Sequence, residues 1–96
     1  MTYSLVIKAE ANLEIVDAYL YYEEQQKGLG ERFLKQLDKY FSKILEAPKH
    51  YAIKRQPFRE AFIRKFPFLV IYEIEETIIV VYSVFNTSKN PARKPE

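Results

Sequence analysis

The spacing of apolar residues changes along the chain, and each change predicts a different element. Between Tyr3 and Lys8, alternate positions separate an apolar set from a more polar one. This predicts a strand, because successive side chains of a strand point to opposite faces. In residues 10–26 and 29–46 the apolar positions recur every three or four residues, as on one face of a helix. Gly28 lies between these segments, where a left-handed glycine can end the first helix, so a helical hairpin is predicted.

Each predicted helix has a broad apolar face that we expect to pack in the core. Acidic residues of the first helix lie mostly outside this face. The second helix is expected to end at Ala47-Pro48, because proline cannot continue a helix. The apolar face of the first helix consists of Leu13, Val16 and Leu20, widened by Ile15, Tyr19 and Tyr22. The apolar face of the second consists of Phe33, Leu34, Leu37, Phe41, Ile44 and Leu45.

The second half of the chain reads as strands. Residues 58–65, 66–75 and 77–86 are rich in aromatic and β-branched residues, and the acidic junction before Thr77 is short enough for a hairpin. Residues 49–57 show no clear period and are predicted to be a loop. The expected fold is α+β: an N-terminal strand, a helical hairpin and a three-strand antiparallel meander, in the order β-α-α-β-β-β. Residues 1–88 would form a single domain, followed by a mobile basic tail at residues 89–96.

The last two predicted strands are apolar on both faces. The helical hairpin can cover only one face of the sheet, so the other would show apolar groups that a monomer rarely leaves in water. Burial by a partner protein is the interpretation that we favour. Coverage by residues 49–57 or by the tail is the alternative.

Composition excludes several classes of site. The chain has no cysteine, which excludes disulfides, a thiol nucleophile and cysteine-ligated metals. The N-terminus has too few apolar residues for a signal peptide, and no apolar run approaches the roughly 20 residues of a membrane span. We expect a soluble cytoplasmic protein with no membrane partner and no cofactor.

Charge is distributed unevenly, although the net charge is only +2. Residues 1–48 hold six basic and eight acidic side chains, whereas residues 49–96 hold nine basic and five acidic ones. The basic second half could meet an acidic protein or RNA, but the total charge is far below that of a dedicated nucleic-acid binder.

His50 is the only histidine, and it raises the question of acid–base chemistry. It lies in the predicted loop with no nucleophile or carboxylate next to it in sequence, so we interpret it as a solvated surface residue. A single histidine in a chain without cysteine also offers too few of the usual ligands for a metal site. We therefore assign no catalytic residue and no metal ligand.

A set of residues near the C-terminal strands carries a family resemblance. Phe66, Pro67 and Tyr72 match an "FP-x-x-x-x-Y" strand, residues 78–84 match a strand of valines and isoleucines, and a short basic motif precedes Pro91. In these features the chain resembles the RelE/ParE superfamily, the toxins of bacterial toxin–antitoxin pairs. The resemblance implies a cognate antitoxin that wraps the toxin, and a homodimer or a heterotetramer with it.

The resemblance also implies which cations meet the cellular target. In this family, basic residues of the second strand and after the last strand point into a concave surface. The matching positions here are Arg59, Arg64, Lys65, Lys89 and Arg93. Arginine can hold a phosphate or carboxylate through two hydrogen bonds, and lysine acts as a point charge, so the set could bind an acidic surface. Ordinary surface charge is the alternative.

The chain departs from the family where the nucleases carry their chemistry. Many members have a histidine, a glycine and two arginines where this chain has Asn86-Thr87-Ser88-Lys89. Asn86 cannot exchange a proton near neutral pH. We therefore favour a ParE-like toxin that binds DNA gyrase, associated with plasmid stabilisation. A RelE-type ribosome-dependent mRNA endonuclease, with Tyr82 or another tyrosine assisting, and a non-toxic remnant that keeps antitoxin binding both stay open.

Overall fold

The computed structural model describes residues 2–88. Its elements, in chain order, are β1 (Ser4–Ile7), α1 (Ala9–Gln25), α2 (Leu29–Glu46), β2 (Ile53–Arg55), β3 (Phe58–Ile63), β4 (Phe68–Glu75) and β5 (Ile78–Asn86). The predicted mobile tail, with the candidate residues Lys89 and Arg93, lies outside the described residues. No helix among residues 2–88 is long and apolar enough to cross a membrane.

One five-stranded sheet carries the helical hairpin, and its strand order is β1-β5-β4-β3-β2. β1 runs parallel to β5, while β5, β4, β3 and β2 pair antiparallel in succession. The α+β prediction is confirmed, with two corrections to the strands. The predicted loop contains β2, whose three residues are all exposed and therefore show no alternation. β4 begins at Phe68 because residues 64–67 form a turn, in which Lys65 has a φ of 77°.

The core lies between the helical hairpin and the sheet. As predicted, α2 buries Phe33, Leu37 and Ile44, and Phe41 is partly buried beside them. β4 and β5 contribute fully buried side chains, with Tyr72 the largest. Burial of each large apolar side chain contributes about 1.5–3 kcal/mol, so these contacts dominate the stability of the domain.

The predicted core face of α1 is confirmed at Ile15 and Tyr22 and is wrong at Leu13, Val16 and Leu20. Leu13 is 64% exposed, Val16 44% and Leu20 55%, whereas Ala11, Ile15 and Ala18 are buried. Small side chains on the buried face allow α1 to lie close to β5, which it contacts. The larger apolar residues consequently point away from the sheet, where among residues 2–88 they form an outer apolar surface.

The link between the helices depends on a carboxylate and two glycines. Glu23 accepts hydrogen bonds from the backbone N–H groups of Gly28 (3.0 Å) and Gly30 (2.9 Å), which lowers the pKa of this carboxyl. Gly28 has a φ of 88°, a left-handed conformation that favours glycine. At Gly30 a Cβ atom would lie 2.7 Å from the carbonyl oxygen of Tyr19, so only glycine permits this approach of α2 to α1.

The sheet face opposite the helices is only partly exposed to solvent. Glu73 alternates with the core residue Tyr72 and accepts a 3.0 Å hydrogen bond from the Tyr82 hydroxyl. The Tyr82 ring packs edge-on against Phe58 at 5.0 Å and lies under the Lys8 ammonium. These side chains shield part of the face that was expected to be open, while Phe62 remains 58% exposed. Residues 53–55 extend the edge of the sheet as β2.

Candidate functional site

The structure separates the predicted target-binding cations. Arg59 lies in β3, whereas Arg64 and Lys65 lie in the turn that joins β3 to β4. The other two candidates, Lys89 and Arg93, lie outside the described residues. Of the three described cations, only the turn pair is exposed, because Arg59 is half-buried.

Arg59 is engaged by the fold. Its Nη1 donates hydrogen bonds to the carbonyl oxygens of Tyr51 (2.7 Å) and Lys49 (3.4 Å). Its cross-strand neighbour Tyr72 donates a 2.7 Å hydrogen bond to the carbonyl of Pro48, and burial raises the pKa of Tyr72 to about 12. Arg59 and Tyr72 thus tie residues 48–51 to the sheet, and a role for Arg59 in target binding stays a prediction.

The turn between β3 and β4 is held on α2. The side-chain amide of Gln36 donates a 3.0 Å hydrogen bond to the carbonyl of Arg64, whose N–H donates a longer one of 3.4 Å to the Tyr40 hydroxyl. Phe66 then packs against Phe33 at a ring separation of 5.4 Å. The position of Lys65 relative to α2 is therefore set by contacts on both sides of it.

Lys65 joins cations of α2 at a cleft of about 480 Å³, which we call the basic cleft. Its lining consists of Leu29, Arg32, Lys35, Gln36, Lys39, Lys65 and Phe66. The α2 cations were missed in the sequence analysis, although their spacing of three and four residues places them on one side of the helix. Four cations with apolar walls can bind a phosphate or a carboxylate-rich surface.

No histidine, carboxylate or tyrosine lines the basic cleft among the described residues. His50 follows the opposite end of α2, where it is exposed and packs edge-on against Tyr51 at 5.0 Å. The hydrogen bond to Glu73 raises the pKa of Tyr82, which opposes its use as a base near neutral pH. Residues 2–88 also contain no cluster of side chains that could hold a metal ion.

A second candidate surface lies on the hairpin. Leu13, Val16 and Leu20 share the side of α1 that faces away from the sheet, and we call them the outer stripe. Three large apolar side chains that are each about half exposed form the kind of patch that marks a protein interaction site.

Comparison with known proteins identifies a family and a structure of similar fold. Residues 5–91 match the model of the family described as ParE toxin of type II toxin-antitoxin system, parDE. The fold is similar to a solved structure titled "Chromosomal ParDE TA system from P. aeruginosa", with a TM-score of 0.78 and 11% sequence identity. That similarity covers 88% of this chain and 96% of the other. No curated protein matches the sequence.

Proposed function

This chain belongs to the ParE toxin family of type II toxin–antitoxin systems, and on that premise we propose that it inhibits growth by binding an essential target. The proposed target is DNA gyrase, the proposed contact surface is the basic cleft, and a cognate antitoxin neutralises the toxin in the cytoplasm. The observation that carries the proposal is the composition of the cleft, which has four cations and, among residues 2–88, no histidine, carboxylate or tyrosine.

The geometry of the cleft suits binding to an acidic surface. Arg32, Lys35 and Lys39 project from one rigid helix, and Lys65 approaches them from a turn that Gln36 holds in place. Charged side chains on rigid elements lose less conformational freedom on binding than those on mobile loops, which favours a stable complex. Because such contacts are largely electrostatic, target binding should weaken as salt is raised.

Cleavage of RNA has less support. A phosphodiester cleavage needs a base for the attacking hydroxyl and an acid for the leaving oxygen, each typically contributing about 10²–10⁴-fold. Among residues 2–88 no histidine, carboxylate or tyrosine lines the cleft to share these two roles with its lysines. The Asn86 side chain accepts hydrogen bonds from the Ser88 N–H (2.9 Å) and hydroxyl (2.8 Å). Asn86 thus closes the turn after β5 at a position where many family members carry histidine.

The outer stripe supports an antitoxin as the protein partner. Its three side chains leave apolar area in water that a partner helix could cover. Each is already about half buried, so covering the rest would contribute roughly half of the 1.5–3 kcal/mol of full burial. We propose that the antitoxin covers the stripe and leaves the chain more soluble in the complex than alone.

The test combines growth with RNA mapping. The native chain and a Lys35→Glu/Lys39→Glu variant are induced in cells at matched soluble levels. Lys54→Glu, at an exposed position of β2 outside the cleft, is the control. We expect arrest by the native chain and the control, relief of arrest in the cleft variant, and intact ribosome-bound mRNA in primer extension. Arrest that persists in the cleft variant, or codon-positioned cuts in mRNA, would refute the proposal.

A further inference from the structure

β5 has an edge without a strand partner. β1 pairs with β5 only at Ile78–Val81, and within residues 2–88 no strand continues along the same edge toward Asn86. The N–H of Thr87 donates to the carbonyl of Pro67 on the β4 side, at 2.8 Å. Backbone groups of neighbouring residues in a strand point to opposite edges, so those of Val84 and Asn86 face away from β4.

A carboxylate of α1 occupies one position on this edge. Glu14 Oε1 accepts hydrogen bonds from the Val84 N–H (2.9 Å) and from the Ser83 hydroxyl (2.8 Å). The carboxylate satisfies the donor that a continuing strand would have bound. The carbonyl of Val84 and both backbone groups of Asn86 face the same edge, and such an edge is a template for an added strand.

A cleft of about 220 Å³ lies between this edge and α1, and we call it the edge cleft. Its walls include Glu14, Asp17, Tyr21, Tyr22, Phe68 and Val84, and none of the lysines and arginines of residues 2–88 lines it. The edge cleft is therefore negative, in contrast to the basic cleft. The two are separated by packed aromatic rings, in which Tyr22 contacts Phe66 at 5.1 Å.

We propose that the edge cleft receives an extended segment of the antitoxin, which adds a strand to β5 at Val84–Asn86. The segment places a lysine or arginine side chain between Glu14 and Asp17, with Tyr21 and Tyr22 as the aromatic wall. Strand addition supplies backbone hydrogen bonds, and the acidic pocket selects a basic side chain. Aromatic faces next to a cation add further attraction.

This inference rests on the proposed function, which supplies the antitoxin as partner. Continuity of the surface favours the same partner here. Val16 and Leu20 of the outer stripe are each followed in sequence by a residue of the edge cleft, Asp17 and Tyr21. A protein that covers the outer stripe therefore reaches the edge cleft without crossing another part of the domain.

The experiment compares the free chain with its complex with the protein encoded by the neighbouring reading frame. Hydrogen exchange is read at the Asn86 amide, which has no backbone partner on the free edge within residues 2–88. We expect this amide to be protected in the complex and exposed in the free chain. Asp17→Lys should weaken the complex at least roughly tenfold, because the new lysine would repel the basic side chain that the pocket is proposed to bind. Asp38→Lys, exposed on α2 outside the edge cleft, is the matched control and should bind as the native chain does.

The outcomes separate this inference from the proposed function. A complex that neutralises toxicity but leaves the Asn86 amide exposed, or tolerates Asp17→Lys as well as the control, would overturn the strand addition and leave the proposed function standing. Protection of Asn86 that grows with the concentration of the chain alone would assign the edge to a second copy and overturn the inference. Failure to form any complex would refute the antitoxin assignment and this inference with it.

Discussion

Replacing Arg59 with alanine tests whether this arginine acts on the fold or on the target. The structure shows its guanidinium bound to the carbonyl oxygens of Tyr51 at 2.7 Å and Lys49 at 3.4 Å. Arg59→Ala removes both hydrogen bonds and leaves two carbonyl groups of the 48–51 segment without this donor. The expected first effect is therefore on stability.

The magnitude follows from the geometry. Losing a hydrogen bond from a charged donor typically costs about 1.5–3 kcal/mol when the site is desolvated. Here one bond is short and the other is long, and Arg59 is half-buried, so water can replace part of the loss. We expect Arg59→Ala to lower the free energy of unfolding by about 1–2 kcal/mol.

The assay is urea unfolding of the purified chain, with growth inhibition scored at matched amounts of soluble protein. Arg64→Ala is the control, because the hydrogen bonds of Arg64 to Gln36 and Tyr40 use only its backbone. The control should change stability by no more than about 0.5 kcal/mol. Native-like unfolding of Arg59→Ala together with loss of growth inhibition would refute the reasoning and place Arg59 at the target.

Further predictions concern the packing of the helices and one buried hydroxyl. Gly30→Ala should lower the stability by at least about 1 kcal/mol in thermal unfolding, because the added Cβ would meet the Tyr19 carbonyl. This loss should exceed the gain from the better helix propensity of alanine, and equal or higher stability would contradict it. Leu37→Ala should cost about 2–5 kcal/mol in urea unfolding, whereas Leu20→Ala should cost below about 0.5, and similar losses would contradict the assigned faces. Burial raises the pKa of Tyr72 to about 12, so the folded protein favours the neutral phenol. The resulting contribution to the free energy of unfolding is complete below about pH 10. It decreases by up to about 1.4 kcal/mol per pH unit as the pH rises toward 12. Tyr72→Phe should lack this part of the alkaline loss, and an unchanged slope would contradict the assignment.

Much of the fold could be predicted because its main elements have one-sided or long apolar patterns. α2 presents Phe33, Leu37 and Ile44 on one face against a polar opposite face, so its orientation follows from periodicity. β4 and β5 are mostly apolar along their eight and nine residues, which is typical of central strands. β2 was missed because a short, fully exposed strand is defined by its neighbour β3 and not by its own residues.

α1 shows where periodicity fails. Two apolar sets occur on this helix, one of leucines and valine and one that includes Ala11 and Ala18. Hydrophobicity favours the larger side chains for the core, but close approach to β5 requires the smaller ones. The exposed set is the outer stripe. A sequence pattern alone does not tell whether an apolar helix face packs in the core of its own domain or binds a partner protein.

The candidate site was predictable in part. Lys65 is a candidate because it precedes the motif at Phe66. Nothing in the sequence distinguishes Arg32, Lys35 and Lys39 from the ordinary surface charges of a helix. Only the folded turn brings Lys65 to these cations at the basic cleft. Arg59 stood out by resemblance alone, and its contacts to residues 49 and 51 could not be read from sequence.

The central claim is that the chain stops growth by binding gyrase and not by cutting RNA. Its most direct test is a titration of gyrase-catalysed DNA supercoiling with the purified chain, with Lys35→Glu/Lys39→Glu and Lys54→Glu run in parallel. We predict that the native chain and Lys54→Glu abolish supercoiling, and that the cleft variant does not. Undiminished supercoiling at excess native chain would contradict the claim.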